Sequence, residues 1–364
     1  MNILVLNYEF PPIGGGASPV SYDISRYYVQ RGHKVTVVTM QYKGLETHEC
    51  VEGIEIYRVP CLRKKSNVCH PWEQLSYIFS AVHFLGGYLK NHSFDIVHTH
   101  FIIPTGAVAW YLKKRYHLQY VITAHGSDVI GHNNKRFQLL YCILKGPWRC
   151  IVRNAKAVVS PSNHLIQLMK ESEPYGNYRY IPNGIETSVF HALPKEKSIL
   201  VMCRLQETKG VQIILRAVSQ MEMQGWKLHI VGDGPYRSTL EQLAAELHIQ
   251  DKVIFHGWIK NRSEEHLELL GKAAIYASAS RVENCPVSIL EALCSKCRVV
   301  VSDIPAHREL LKERGRFFTV DDINECAQQM ALSMQEMDEM TVDAQEWDWQ
   351  NIIRQYEKVL AIGI

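Results

Sequence analysis

The sequence lacks an apolar run long enough to cross a bilayer. Its longest such stretch, around Ile78–Leu89, is interrupted by His83 and falls short of the roughly 20 residues that a spanning helix needs. The opening MNILVLNYEF has neither a basic leader nor a small-residue cleavage site, which argues against a secretory signal. Neither sign of charge dominates: 40 Lys+Arg stand against 37 Asp+Glu, a net of +3, too even for a protein devoted to nucleic acid. With 46% hydrophobic and 21% charged residues, the chain is not disordered, collagen-like or a small disulfide scaffold. Ten cysteines are present, several inside apolar runs, as Cys203 is in SILVMCRL; a reduced thiol there packs as a small hydrophobe. Cys294-Ser-Lys-Cys297 is a single Cys-x-x-Cys with no second pair, and reads as two helix or turn cysteines rather than a zinc or redox site. The expectation is a soluble protein of a reducing, cytoplasmic compartment.

The even charge hides an asymmetry. Residues 1–185 carry 20 basic and 11 acidic side chains, a net of +9, and residues 186–364 carry 20 and 26, a net of −6. The first half can meet an anionic surface, notably through Arg63-Lys64-Lys65 and Lys113-Lys114-Arg115, or simply present a solvated basic face.

At 364 residues two domains are expected. NILVLNY, PPIGGG and Ser18–Gln30 read as strand, glycine loop and helix, with Gly32 ahead of the strand KVTVVT. IEIYRV, FDIVHTH, YVITAH and AKAVVS continue the strand series. After Pro182-Asn183-Gly184 and the polar HALPKEKS the rhythm restarts with SILVMCRL, WKLHIVGDG, KVIFHGW, AAIYASAS and CRVVVSD. Helices fall at Val211–Met221, Ser238–Leu247 and Gln350–Leu360. Strands alternating with helices predict parallel sheets covered on both faces. The divisions expected are 1–185, 186–345 and a last helix in 346–364 that packs back on the first domain. Ligands in such folds bind at the carboxyl ends of the strands, so a cleft between the two units is the expected site.

Candidate chemistry gathers at those ends. Gly14-Gly15-Gly16 follows the first strand and opens the first helix, where bare amides suit an anion, or merely a tight turn. A dinucleotide fingerprint needs glycine at position 19, where Pro19 stands, and the second strand ends in Thr39-Met40 rather than an acidic residue. Arg204 and Lys209 lie just past the first strand of the second unit, as phosphate ligands or as solvated cations. Glu283 and Glu291 in RVENCPVSILEAL flank a helix start at Asn284-Cys285-Pro286, where carboxylates can accept bonds from sugar hydroxyls. His125 ends the strand YVITAH, facing the cleft or serving only the structure. His98 and His100 share a strand face, but no third metal ligand accompanies them. The metal expectation is therefore none.

The ordered set PPIGGGASP, TAHGSD, IPNGIE, CRLQETKG, VGDGP and ENCPVSILEAL resembles glycosyltransferase family 4, over nearly the whole chain. The resemblance implies the α/β GT-B fold, two Rossmann-like doubly wound domains facing each other across a cleft. It implies a nucleotide-diphosphate sugar as donor substrate, no cofactor, and retaining transfer to a glycan or lipid-linked acceptor without a metal. By the same resemblance Arg204 and Lys209 bind the diphosphate with the Gly15-Gly16 backbone, Glu291 holds the ribose hydroxyls, and Glu283 faces the donor sugar. The backbone at Asn284, Cys285, Pro286 and Val287 would contact sugar and phosphate, with Cys285 and Pro286 shaping the sugar pocket, while His125 would meet the reacting centre and Trp258 and Ile259 the nucleobase. Two departures are present: Glu186 stands where many relatives carry Asp, and Asn284-Cys285-Pro286 replaces a commoner Gly-Phe-Gly, which leaves the sugar open. The nucleobase, acceptor and oligomeric state are not implied. A nucleotide-sugar epimerase on the same fold and a non-catalytic nucleotide-sugar module are the competing readings.

Overall fold

The computed structural model describes residues 1–66, 68–132, 138–336 and 343–361. It divides into two compact units, Met1–Asn183 with Trp349–Ile364, and Gly184–Asp348. Each has its own parallel sheet.

The first unit holds an eight-stranded sheet in the order β3-β4-β2-β1-β5-β6-β7-β8. Its strands are β1 (Asn2–Leu6), β2 (Lys34–Met40), β3 (His48–Val51), β4 (Ile54–Val59), β5 (Ile96–His100), β6 (Tyr120–Thr123), β7 (Ala157–Ser160) and β8 (Tyr178–Tyr180). All pairings are parallel except that of β3 with β4. The central strands are apolar runs because both of their faces are covered, and β5 to β7 are buried at every position. The helices are α1 (Ala17–Gln30), α2 (Pro71–Tyr88), α3 (Thr105–Tyr116), α4 (Gln138–Asn154) and α5 (Asn163–Ser172). The chain steps one way across the sheet for α1 and the other way for α2 to α5. Right-handed crossovers therefore put α2 to α5 on the face opposite α1.

The second unit has six strands in the order β11-β10-β9-β12-β13-β14, all parallel. They are β9 (Glu196–Met202), β10 (Lys227–Val231), β11 (Val253–Gly257), β12 (Ala273–Ser278), β13 (Arg298–Ser302) and β14 (Arg316–Phe318). Between them run α6 (Val211–Ser219), α7 (Arg237–Glu246), α8 (Glu264–Lys272), α9 (Val287–Cys294), α10 (Pro305–Leu311) and α11 (Ile323–Gln335). At the foot of this unit Thr187 Oγ1 donates to Asp348, 2.5 Å away, and Ile185 bridges the same residue.

The last helix, α12 (Trp349–Ala361), lies on α1. Trp349 stacks on Tyr27 with ring centroids 5.8 Å apart, and Glu357 accepts from Arg31 (3.1 Å) and pairs with His33 (2.9 Å). Ile352, Ile353, Tyr356 and Leu360 are buried, which explains why an amphipathic pattern ends the chain. No helix among the described residues is long and apolar enough to cross a membrane.

Candidate functional site

In the second unit, glycine fixes how closely the strand-end loops can approach each other. Gly210 has φ +69°, and a Cβ there would lie 2.0 Å from the carbonyl oxygen of Ala279. Gly232 has φ +130°, and its Cβ would lie 1.9 Å from the carbonyl oxygen of Cys203. Only glycine fits either position. The loops after β9, β10 and β12 are thereby brought together at one end of the sheet, which accounts for the TKG and VGDGP motifs.

Lys209 and Glu283, 74 residues apart in sequence, meet there with Nζ 2.5 Å from Oε1. Ser280 Oγ donates to the same oxygen at 2.7 Å, and Ser302 Oγ in turn donates to the Ser280 carbonyl at 2.6 Å. Both members of the ion pair stay partly open to solvent, so the pair is a held cation and a held carboxylate that a ligand can reach. Arg204 is exposed just beyond β9 and has no carboxylate partner among the described residues. Lys209 is thus not a free surface cation, whereas Arg204 is one, at the same strand end. Pro286 caps α9, and the helix starts at Val287 without a side-chain cap; the Ile289 amide donates to the Pro286 carbonyl at 3.1 Å, which leaves the Val287 and Ser288 amides for an acceptor. Asn284 and Val287 are half-buried at this turn. Cys285 is buried in the core with Ile289 and Leu290, so its side chain packs inward rather than shaping an open pocket.

Glu291 sits one and a half turns into α9 and is 6% exposed. Burial raises its carboxyl to about 7, opposed by the positive charge of Arg262. His266 on α8 faces it, Nε2 to Oε2 3.8 Å. The Arg262 amide donates to His266 Nδ1 at 3.3 Å, so Nε2 carries the ring proton and is turned toward Glu291. Burial and Arg262 lower His266 to about 4. Arg262 also pairs with Glu186 at 3.3 Å, which gives the longer Glu186 of IPNGIE a partner. Trp258 is 72% exposed after β11, presenting an open ring, while Ile259 packs against the core. Neither His266 nor Arg262 carries a motif; a histidine in EEHLELL reads only as part of an amphipathic helix.

In the first unit Gly15 and Gly16 have open space where a Cβ would stand, but Gly14 does not: a Cβ there would meet Glu9 Cβ at 2.6 Å. The Gly15 amide donates to Glu9 Oε2 at 3.2 Å, and the Gly14 amide to the Ser66 carbonyl at 2.8 Å. The Gly15 amide is therefore occupied by a carboxylate, itself 3.4 Å from Arg63. Arg63 is buried, donating to the carbonyls of Tyr8 and Ser66. It therefore does not belong to the surface cluster read from Arg63-Lys64-Lys65.

His125 follows β6 in a turn built by Asp128. The Asp128 carboxylate accepts from the amides of His125 (3.0 Å), Gly126 (3.0 Å) and Ile102 (2.7 Å). Burial raises it to about 6 against those bonds. His125 Nε2 lies 3.0 Å from Nδ1 of the fully buried His100, with the rings stacked at 5.3 Å. His98 is spoken for on both nitrogens, by Tyr28 at 3.1 Å and Thr123 at 2.8 Å. The two strand histidines thus serve an imidazole network behind His125, and burial lowers the pKa of all three. The role of Asp128 escaped the sequence reading although TAHGSD contains it.

Residues 14–189 match the family model Glycosyltransferase Family 4, and residues 186–344 match Glycosyl transferases group 1. The alpha-monoglucosyldiacylglycerol synthase of Streptococcus pneumoniae is 25% identical over 328 residues, 84% of this chain and 71% of that protein. Among solved structures, the sucrose-phosphate synthase of Thermosynechococcus elongatus superposes with a TM-score of 0.82 at 18% identity, over 99% of this chain and 98% of that one. Anabaena HepE, in complex with UDP-glucose, superposes at 0.78 and 18% identity, over 100% of each chain. The chain belongs to glycosyltransferase family 4 and has the GT-B fold of two parallel-sheet α/β domains.

Proposed function

We propose that this glycosyltransferase moves a hexose-type sugar from a nucleotide-diphosphate sugar to a glycan or lipid-linked acceptor, with retention at the anomeric carbon and without a metal ion. The observation that carries the reading is the cluster of Lys209, Glu283 and Ser280 beside the unpartnered Arg204, at the carboxyl ends of β9 and β12. A relative named for a glucosyldiacylglycerol product and a neighbour holding UDP-glucose support the substrate classes. Synthesis of a surface polysaccharide or glycolipid fits these classes.

In this reading the diphosphate lies against Arg204, Lys209 and the first amides of α9. Glu283 accepts from a hydroxyl of the donor sugar, Glu291 from the ribose hydroxyls, and Trp258 with Ile259 meets the base. Gly15 and Gly16 assist the phosphates, a bound oxygen replacing Glu9 at the Gly15 amide. The bond from the anomeric carbon to the phosphate oxygen breaks while the acceptor oxygen bonds to that carbon from the same face. The acceptor's proton passes to the departing phosphate oxygen. Negative charge grows on the diphosphate as this happens, and fixed cations and helix amides stabilise it without reorganisation. They supply the electrostatic help that a divalent cation gives in other enzymes. His125, paired with His100 and held by the Asp128 turn, is the residue we assign to the donor sugar and the reacting centre.

The test is transfer from α-linked UDP-, GDP- and ADP-hexoses to glycan and diacylglycerol acceptors, with and without chelator, reading the product's anomeric coupling by NMR. An α-linked product formed equally well in chelator supports the reading. A β-linked product, or activity that requires added Mg²⁺, contradicts it. Conversion of the donor's sugar without an acceptor identifies an epimerase instead.

A further inference from the structure

Helix α2 exposes an apolar stripe where a surface helix ordinarily shows polar residues. Trp72, Leu75 and Phe79 recur at spacings of three and four and are 53%, 55% and 73% exposed, while Tyr77, Ala81 and Leu85 face the core. The preceding segment runs back along the same helix: the Leu62 amide donates to Ser76 Oγ at 3.1 Å and the Lys64 amide to Glu73 at 2.9 Å. This adds Leu62, 64% exposed, to the stripe, and sets exposed Lys64 and Lys65 at its end. A contiguous exposed patch of this kind marks an interaction surface.

Charge identifies the occupant. Helices α2, α3 and α4 contain a single carboxylate, Glu73. It is fully buried, its oxygens taken by the Lys64 and His70 amides. The neighbouring helix α3 ends in Lys113-Lys114-Arg115, with Tyr111, Lys114 and Arg115 exposed. Among the described residues Lys64, Lys65, Lys114 and Arg115 have no carboxylate partner. Aromatic and aliphatic side chains flanked by unpaired lysines, with no acidic residue among them, match a membrane interface. There the apolar rings enter the acyl boundary and the cations meet lipid phosphates. A protein partner of mixed charge would be met by mixed charge.

We infer that the outer face of α2, centred on Trp72, Leu75 and Phe79 and edged by Lys64 and Lys65, docks this enzyme on an anionic lipid bilayer. The inference deepens the lipid-linked-acceptor reading and rests on it, placing the enzyme where such an acceptor resides.

The experiment is co-sedimentation of the full chain with phosphatidylcholine vesicles, with and without phosphatidylglycerol, at low and high salt. The variants are Leu75→Ser/Phe79→Ser, Leu62→Gln, and Lys64→Gln/Lys65→Gln, their melting temperatures checked against wild type. Wild type is expected to bind the anionic vesicles and to lose affinity in salt. The lysine pair contributes about fivefold per cation, and the Leu75/Phe79 variant loses at least about tenfold. Leu62→Gln gives an independent loss should the double variant fail to fold. Absence of binding to anionic vesicles at low salt overturns the inference. So does equal binding by all the variants. Self-association of the wild type that Leu75→Ser/Phe79→Ser abolishes, with no vesicle binding, assigns the face to a second copy instead. Nucleoside-diphosphate stabilisation is measured in parallel on wild type. Its absence strikes at the transfer reading and leaves docking standing, and its presence without vesicle binding does the reverse.

Discussion

Replacing Glu291 by Gln separates what this residue does for the fold from what it does for a ligand. Burial raises its carboxyl from 4.5 to about 7. A group whose folded pKa lies above its unfolded value contributes stability that is present below the unfolded pKa. That contribution is lost as pH rises through the folded pKa. The loss for Glu291 therefore runs from about pH 4.5 to 7, and its full size is about 3 kcal/mol. Gln resembles the protonated acid in shape and never ionises. At pH 8 Glu291→Gln is expected to be more stable than wild type by up to about 3 kcal/mol, roughly 6–12 °C for a unit of this size. Near pH 5 the gain shrinks to below about 1 kcal/mol. His266, lowered to about 4, runs the opposite way, its contribution lost as pH falls from 6.5 through 4. It is common to both proteins, so their difference isolates Glu291. The assay is thermal unfolding of both without ligand from pH 5 to 8, repeated with nucleoside diphosphate. The variant should gain in the first series and lose ligand stabilisation in the second. A variant destabilised equally at pH 5 and 8 refutes the reasoning, because Glu291 would then act as an ionised structural partner.

Three further outcomes follow from the geometry. Lys209→Ala or Arg204→Ala should lower turnover about a hundredfold while the melting temperature moves little, as measured by steady-state kinetics and calorimetry. Near-normal turnover in both removes the charge-stabilisation argument. His100→Ala, which deletes the buried partner 3.0 Å from His125 Nε2, should lower kcat while nucleoside-diphosphate binding is retained. An unchanged kcat means the imidazole pair only fills space. Gly210→Ala places a Cβ 2.0 Å from the Ala279 carbonyl oxygen at φ +69°. It should cost at least about 2 kcal/mol in denaturant unfolding, and a loss below 0.5 means the loop relaxes easily (~0.5 kcal/mol being an ordinary surface effect).

Strands such as β1 and β13 were legible because burial on both faces writes them as near-continuous apolar runs, ILVL and VVV, each paired with a strand on either side. The edge strand β3 was not, since HECV alternates exposed with half-buried residues and holds only one partner. Helix α2 showed in the sequence only as an apolar stretch from Ile78. Its true start lies at Pro71, where the His70–Glu73 capping box and proline begin it. The candidate residues came from motifs rather than contacts: Arg204, Lys209 and His125 just beyond strands, and Glu283 and Glu291 around the start of α9. Their mutual contacts were not legible, because Lys209 and Glu283, 74 positions apart, are brought together by loop packing that no local pattern records. His266 and Arg262 were invisible for a related reason. They reach Glu291 from a neighbouring helix and loop, and their own spacing is that of any solvated amphipathic segment.

The central claim is that the second unit binds a nucleotide-diphosphate sugar through Arg204, Lys209, Glu283 and Glu291. Its most direct test is thermal unfolding with UDP, GDP, ADP and NAD, each with and without Mg²⁺, on wild type and Glu291→Ala. A ligand at a hundred times its Kd stabilises by about 2.7 kcal/mol, well within the resolution of a melting curve. The account predicts a metal-independent rise with one nucleoside diphosphate that disappears in Glu291→Ala. A rise with NAD alone, or a nucleoside-diphosphate rise untouched by the substitution, contradicts it.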